Sequence, residues 1–531
     1  MLNILYIFIL AAVIPFIAWQ QREEGRNFIS MIITGVFLIL LLLTNKLPIF
    51  WDNTTILVLC FAIWMTASMF WTNSRQSSQD LFFMLCCLVV FLIARNITLG
   101  VLLSIIFMPG VIFAGMSLYN YKSEQPRKKW PIFGNSNHIG AFLLCPLFAG
   151  LWLSFNISWW VFPLVFLVVF AMAFNRCRGA QIGTITGLMY VAYIQCPWMI
   201  LSIPVFLTVF WILYQSRKND PYFMSGRGNF YQRMSLLVAA IHLIRKTPVA
   251  GYGLRTFRRE YPTIIPGLLN SRIMKHFYAK DASIESQTSH RIHNDHLEII
   301  FELGFIGYVI FLSLFASLSW AVNPLLAGAV IAFAVHGLFF FPLREAHTAF
   351  PFWALAGGMA GTTITMISIN PVIAGAIVLI IGRVLYEISV KIIALLYYDQ
   401  AVKINVLPNP EDDVGKKTLA RKQLFINHAI GCDPYNNIYL TQGYYYNVFN
   451  NPEIAFQYAS RCLENYDGGK VKWGVSDQYA RALLRLGGFG VVKMAVRHAL
   501  HVCPGFQQSI DLMKQINQLE SQSYLNQSKV T

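Results

Sequence analysis

Charge is what this sequence has least of. Asp, Glu, Lys and Arg make up 12% of its 531 residues, and hydrophobic residues make up 56%. A soluble globular chain carries about 25% charged residues. The shortage excludes a soluble enzyme and points to a polytopic membrane protein. Cysteine chemistry is also thin. The nine cysteines form no Cys-x-x-Cys pair and no Cys/His metal array. Cys60, Cys86, Cys87, Cys145 and Cys196 sit in apolar runs as packing residues, and the three in the tail are an odd set that gives no disulfide framework. Met1 to Trp19 lacks a basic leader and a small-residue cleavage site, so it reads as a first membrane helix and not a signal peptide.

What is present is a succession of apolar runs. A membrane helix needs about 20 apolar residues. Spans are expected near 1–19, 28–44, 54–71, 80–94, 97–119, 138–155, 159–174, 180–194, 197–214, 297–318, 323–341, 350–369 and 371–398. The expected fold is an all-α polytopic membrane protein with about 12–13 transmembrane helices. Residues 1–214 form an N-terminal bundle, 215–296 a long polar loop, 297–398 the C-terminal membrane helices, and 399–531 a helical soluble tail. In the tail, Gly443, Tyr446, Ala455 and Ala459, and then Gly487, Phe489, Val492, Ala499 and Pro504, fall at tetratricopeptide (TPR) offsets. Two such hairpins are fewer than a stable stack normally needs, so a degenerate TPR-like domain is expected.

The basic residues are unevenly placed. Net charge is +16. With the loops between spans numbered in order, the odd ones hold twenty-three Lys and Arg, and the even ones only Lys46 and Arg95. In a membrane protein this balance fits anionic lipid, and no nucleic-acid partner is expected. The positive-inside rule would place the basic face in the cytoplasm, but long loops cross largely regardless of charge. One-sided clustering suits an active site at a membrane surface. A carrier must expose its polar path to both faces in turn, and the even loops here are almost bare.

Residues 215–296 carry thirteen Lys and Arg against five acids. Nine of the thirteen are Arg, whose planar fork suits phosphate. Attraction to lipid headgroups is the plainer alternative. Met234–Ile244 is apolar but too short to span, and reads as a helix on the membrane surface stopped by Pro248. Gly251 and Gly253 then allow a tight turn back towards the bilayer. No strand precedes them, so a nucleotide-binding glycine loop is not expected. At the end of the loop, Arg291-Ile-His293-Asn294-Asp295-His296 opens the next span, placing polar groups at a water–lipid boundary. Elsewhere on the same face lie Asn135 and Asn137 (helix caps on the plain reading), Arg176 and Arg178, and His336 ahead of Phe341-Pro342-Leu343-Arg344.

In order, these residues resemble the O-antigen ligase and polymerase superfamily of membrane glycosyltransferases. Gly134-Asn135-Ser136-Asn137 is similar to its Gly-Asn-x-Asn. Arg178-Gly179-Ala180 is similar to Ser-Arg-Gly-Ala, with Cys177 replacing Ser. Arg233 to Leu237 resembles Arg-x-x-x-Trp, with Leu237 replacing Trp. Pro248-x-x-Gly251-x-Gly253-x-x-x-Phe257 and Ile292-His293-Asn294, then Glu302-Leu303-Gly304, complete the series. The resemblance covers roughly residues 130–360.

It implies a bacterial inner-membrane enzyme that moves a glycan from an undecaprenyl-diphosphate carrier to an acceptor hydroxyl at the periplasmic face. By the resemblance, 215–296 is a long extracytoplasmic loop. The mechanism would be inverting, with no metal and no cofactor. By the resemblance His293 is the general base, or orients the acceptor, and Arg178 and Arg233 hold the diphosphate. Asn135, Asn137, Arg176, Arg255, Arg291, Asn294, His296, His336 and Arg344 are expected to line the substrate site. An imidazole, with an ordinary pKa of about 6.5, suits proton abstraction. His296 lies about 300° further round an ideal helix from His293, near the same face, and is a rival to it. Glu298 is expected to pair with an arginine. The acceptor is a lipid A–core sugar, a Ser or Thr of an exported protein such as pilin, or a growing glycan, as in the polymerase. With thirteen spans the tail is periplasmic, and with twelve it is cytoplasmic. A non-catalytic glycolipid flippase and a scaffold whose tail recruits partners stay open beside these.

Overall fold

The computed structural model describes residues 2–16, 22–43, 47–49, 52–72, 77–119, 136–174, 177–195, 221–268, 271–280, 291–320, 323–360, 365–367, 371–404, 413–434, 437–447, 452–464, 492–493, 496–497 and 510–519. Lipid offers a backbone no hydrogen-bond partners, so apolar runs fold as helices that satisfy themselves. They are α1 (Leu2–Phe8, continued by a π turn and a 3-10 turn to Phe16), α2 (Arg22–Leu43), α3 (Asn53–Ser68), α4 (Ser77–Ala94), α5 (Leu99–Tyr119), α6 (Ser136–Asn156), α7 (Phe162–Phe174) and α8 (Arg178–Gln195). After them come α9 (Pro221–Ile244), α10 (Phe257–Leu268), α11 (Arg272–Lys280), α12 (Asp295–Ser319), α13 (Pro324–Gly337), α14 (Ala346–Met359) and α15 (Pro371–Lys403). The tail supplies α16 (Asp413–Cys432), α17 (Asn437–Asn447) and α18 (Pro452–Glu464), and residues 510–519 are helical.

Helices occupy twelve of the thirteen expected segments. The expected span at 197–214 lies outside the described residues. Among the described residues, five helices are long and apolar enough to cross a membrane: Gly25–Leu43, Ser77–Ala94, Leu99–Tyr119, Asn137–Asn156 and Asp295–Ser319. Two short strands add to the helices. β1 (Leu47–Ile49) pairs antiparallel with β2 (Thr365–Ile367), Pro48 opposite Met366.

The helices pack closely where side chains are small. A Cβ on Gly183 of α8 would lie 2.4 Å from the Ala332 carbonyl oxygen of α13, and one on Gly187 would lie 2.3 Å from that of Gly328. Such one-turn spacing of small residues lets two membrane helices touch at their backbones. The contact brings the start of α8 beside His336. The helix expected on the surface at 234–244 is longer than its apolar run, since α9 begins at Pro221. Leu236, Ala239, Ala240 and Leu243 are buried, and α9 packs on α12.

The chain divides into two compact units. One holds Met1–Phe257 and Ser289–Tyr386, and the other holds Arg258–Thr288 and Glu387–Thr531. In the second unit Ala394, Ala401, Ile426, Ala429, Ile430, Tyr439 and Leu440 form a core, and Tyr444, Ala455 and Ala459 a smaller one. Of the residues at TPR offsets, the first set falls on α17 and α18, and most of the second lies outside the described residues.

Candidate functional site

The first unit contains a broken membrane helix. Gly304, inside α12, has φ 66° and ψ −172°, a conformation left almost entirely to glycine. There the regular ladder stops, and the chain after Pro248 fills the gap. Tyr252 N–H donates to the Phe301 carbonyl and Gly253 N–H to that of Glu302, both at 2.8 Å. In the other direction, Phe305 N–H donates to the Pro248 carbonyl at 2.8 Å and Ile306 N–H to that of Val249 at 3.4 Å. Trp64 Nε1 takes the Leu303 carbonyl at 2.9 Å. These five groups at the break find partners, as the bilayer requires. Gly251, at φ 73°, fits because a Cβ there would lie 2.6 Å from the Glu302 backbone. The paired glycines of the sequence are therefore the stitch that closes a gap in a helix.

Around this stitch runs a chain of buried charges. Asp80, in the first turn of α4, accepts from Arg255 Nη1 at 2.9 Å and from Arg291 Nη1 at 3.0 Å. Arg291 also reaches Glu298 Oε1 at 2.9 Å, the pairing expected for that glutamate. Arg344 Nη2 donates to Glu302 Oε2 at 2.6 Å, and its Nε lies 3.9 Å from Asp295. Burial works against the charge on Arg291, yet Asp80 and Glu298 hold its pKa well above the ordinary arginine value. Burial opposes the charge on Arg344 as well, and Glu302 raises its pKa. Breaking a buried pair by removing one partner costs about 3–5 kcal/mol.

Expected together with the phosphate ligands, Arg255, Arg291 and Arg344 thus each hold a carboxylate. Of these carboxylates, Asp80 and Glu302 were not anticipated. Asp80 opens an apolar span, where an acid needs a partner, and Glu302 belongs to the Glu-Leu-Gly motif. The partners are 175 and 211 residues apart for Asp80, so no local spacing reveals them.

The connection from α13 to α14 gathers the remaining residues. Arg233 Nη1 donates to the Phe339 carbonyl at 3.4 Å. Asn294 Nδ2 donates to the Leu338 carbonyl at 3.0 Å, and Asp295 N–H to that of Phe340 at 3.1 Å. The His293 ring lies 5.0 Å from the Phe341 ring. His138 and His336 both pack on Phe340, at 5.0 and 5.6 Å. Asn27 pins the same segment, donating to the Arg344 carbonyl and accepting from Ala346 N–H. Arg178 is exposed at the first position of α8, and Cys177 before it is buried. Asn137 lies in the first turn of α6. Asn135 and Arg176 lie outside the described residues.

His293 and His296 differ sharply. His293 has φ 61°, in the left-handed region, and its Nδ1 is buried. Asn294 then caps α12, its side chain accepting from Leu297 N–H at 2.9 Å. His296 is already inside the helix. Its Nδ1 meets the Tyr308 hydroxyl at 3.2 Å and its Nε2 the Ala334 carbonyl at 2.9 Å. It therefore pins α12 to α13. The helical arithmetic that placed the two on one face does not hold, because His293 is not helical.

Residues 136–312 match the O-antigen ligase family. That segment, about a third of the chain, carries the similarity. It begins with α6 and ends within α12. The search of curated proteins finds no match. The match supports an enzyme of the ligase and polymerase type, a family whose members act on lipid-linked glycans in a membrane. The matched segment contains Arg178, Arg233, the stitch and His293. Two parts of the charge chain, Asp80 and Arg344, come from outside it.

Proposed function

We propose that the protein transfers an oligosaccharide from a polyprenyl-diphosphate carrier to an acceptor hydroxyl at the periplasmic face. One observation carries this reading. Arg233 and His293, far apart in sequence, meet the same short segment, at Phe339 and Phe341. A proton-accepting imidazole and a phosphate-binding guanidinium are thereby held around one strand of chain, at the mouth of a membrane helix.

His293 is the general base. With Nδ1 buried, Nε2 takes the proton of the acceptor hydroxyl. The hydroxyl oxygen bonds to the anomeric carbon from the side opposite the diphosphate, the carbon–oxygen bond to phosphate breaks, and configuration inverts. Arg178 and Arg233 stabilise the charge left on the diphosphate, and hydrogen bonds to charged groups contribute about 1.5–3 kcal/mol each. Asn137, Asn294 and His336 belong to the surroundings of this site. Arg255, Arg291 and Arg344 form its wall, since carboxylates hold them.

The test uses purified protein, a polyprenyl-diphosphate glycan, and three acceptors: lipid A–core, a pilin-like protein and a second glycan carrier. Acceptor-dependent release of polyprenyl diphosphate is expected, and the acceptor that supports it identifies ligase, protein oligosaccharyltransferase or polymerase. His293→Ala should lower release by about 100- to 10,000-fold, the usual contribution of a general base, and leave a measurable remainder. Release at the full rate in that variant removes His293 from the mechanism, and translocation of the carrier without release makes the protein a flippase.

A further inference from the structure

We infer that Glu298 is a positioning residue that sets the geometry of His293 by clamping the chain just before it. The inference rests on the reading of His293 as the base. A left-handed backbone is uncommon for a residue other than glycine, and it persists only where its surroundings over-determine it. His293 is held from both sides. After it, Asn294 is fixed as the cap of α12 and bonded to the Leu338 carbonyl. Before it, the two oxygens of one buried carboxylate do the work. Glu298 Oε2 accepts from Ile292 N–H at 3.2 Å, and Oε1 accepts from Arg291 Nη1 at 2.9 Å.

Glu298 is only 1% exposed and stands in the first turn of α12. Its carboxylate thus ties residues 291 and 292 back onto the helix that Asn294 starts. The loop closed in this way has His293 at its crest. Asp80 steadies the clamp from α4 by holding the same Arg291 nitrogen at 3.0 Å. Glu302, one turn further on, repeats the device. Its Oε1 accepts from Arg255 N–H at 2.7 Å while Oε2 takes Arg344, and Arg255 is the other described non-glycine residue with positive φ, at 56°. One left-handed residue is tied to a buried glutamate by its own N–H (Arg255) and the other by the N–H just before it (Ile292), which argues that the carboxylates shape this surface as well as balance charge.

A misplacement of 1 Å can cost about 100-fold in rate. Glu298→Ala, which loses both bonds, should therefore lower kcat by about 10- to 100-fold and leave the KM for the lipid-linked donor within about threefold. Glu298→Gln keeps one acceptor for Ile292 N–H and should recover a large part of kcat. A double-mutant cycle with His293→Ala separates the inference from the reading beneath it. If Glu298 acts through His293, Glu298→Ala lowers kcat in the parent and has no further effect in the His293→Ala background. Equal losses in both backgrounds overturn the inference and leave His293 as the base. A fully active His293→Ala overturns the reading itself, whatever Glu298 does. A loss confined to KM also overturns the positioning role.

Discussion

Replacing Gly304 with alanine tests the stitched helix directly. The protein has two ways to accept the methyl group. It can keep the break, in which case the residue is strained by about 1–3 kcal/mol. The new Cβ also lies 2.0 Å from the Val249 carbonyl oxygen, a separation that forces the backbone to move. Otherwise α12 straightens, Phe305 and Ile306 recover partners in their own helix, and the loop is expelled. The N–H groups of Tyr252 and Gly253 are then stranded, at about 1–3 kcal/mol each. Overpacking at the Val249 carbonyl adds about 1–3 kcal/mol to the strained route, so each route centres on about 4 kcal/mol. At about 2–4 °C per kcal/mol for a large domain, the melting temperature in detergent should fall by roughly 10 °C. Gly115→Ala is the matched control. It lies in α5 with nothing within 4 Å of its added Cβ, and a helix gains up to about 1 kcal/mol from such a change. Melting temperatures that move together in the two variants would refute the argument.

Other changes probe the charge chain and its surroundings. Arg344→Met leaves Glu302 buried without its partner, and should destabilise by about 3–5 kcal/mol, read as loss of folded protein by size exclusion in detergent. Arg233→Ala should raise the KM for the lipid-linked donor and lower kcat while leaving the melting temperature within about 2 °C, because its one described bond is long, at 3.4 Å. A pH effect is expected at the Asp52–Arg95 pair, which also involves Thr55 and the Ala360 carbonyl. Burial raises the pKa of Asp52, but bonds from Arg95 and Thr55 outweigh it and leave the value lowered. A lowered folded pKa means that the stabilisation is complete above the ordinary aspartate value of about 3.9 and is lost as pH falls through the lower one. Melting curves between pH 3 and 6 should show this acid-side loss, about those values, reduced in Asp52→Asn.

The helices were legible because an apolar run in lipid has one way to satisfy its backbone. The turn at Gly251 and Gly253 was legible too, as a return towards the bilayer. Its destination was not, because nothing near residue 250 says that a helix fifty residues on is broken. Ion pairs hide for the same reason. Arg255 and Arg291 look like phosphate ligands when read locally, and the structure shows both bonded to Asp80. His296 shows the opposite failure, in which a rule for regular helices was carried one residue too far, across a left-handed position. The motif order pointed to the right family because its residues are the ones that build this region, although their individual roles depend on contacts made at long range.

The break in α12 also has a consequence for timing. The chain from Pro248 to Gly253 is synthesised before α12 exists, and four of its backbone groups, the N–H of Tyr252 and Gly253 and the carbonyls of Pro248 and Val249, take their partners from that helix. When α12 first enters the bilayer, its cheapest form is a straight helix that bonds only to itself. The gap at Gly304 can open only as the earlier segment arrives to fill it. The geometry around Gly304 is therefore a joint property of two distant segments, and neither can adopt it alone.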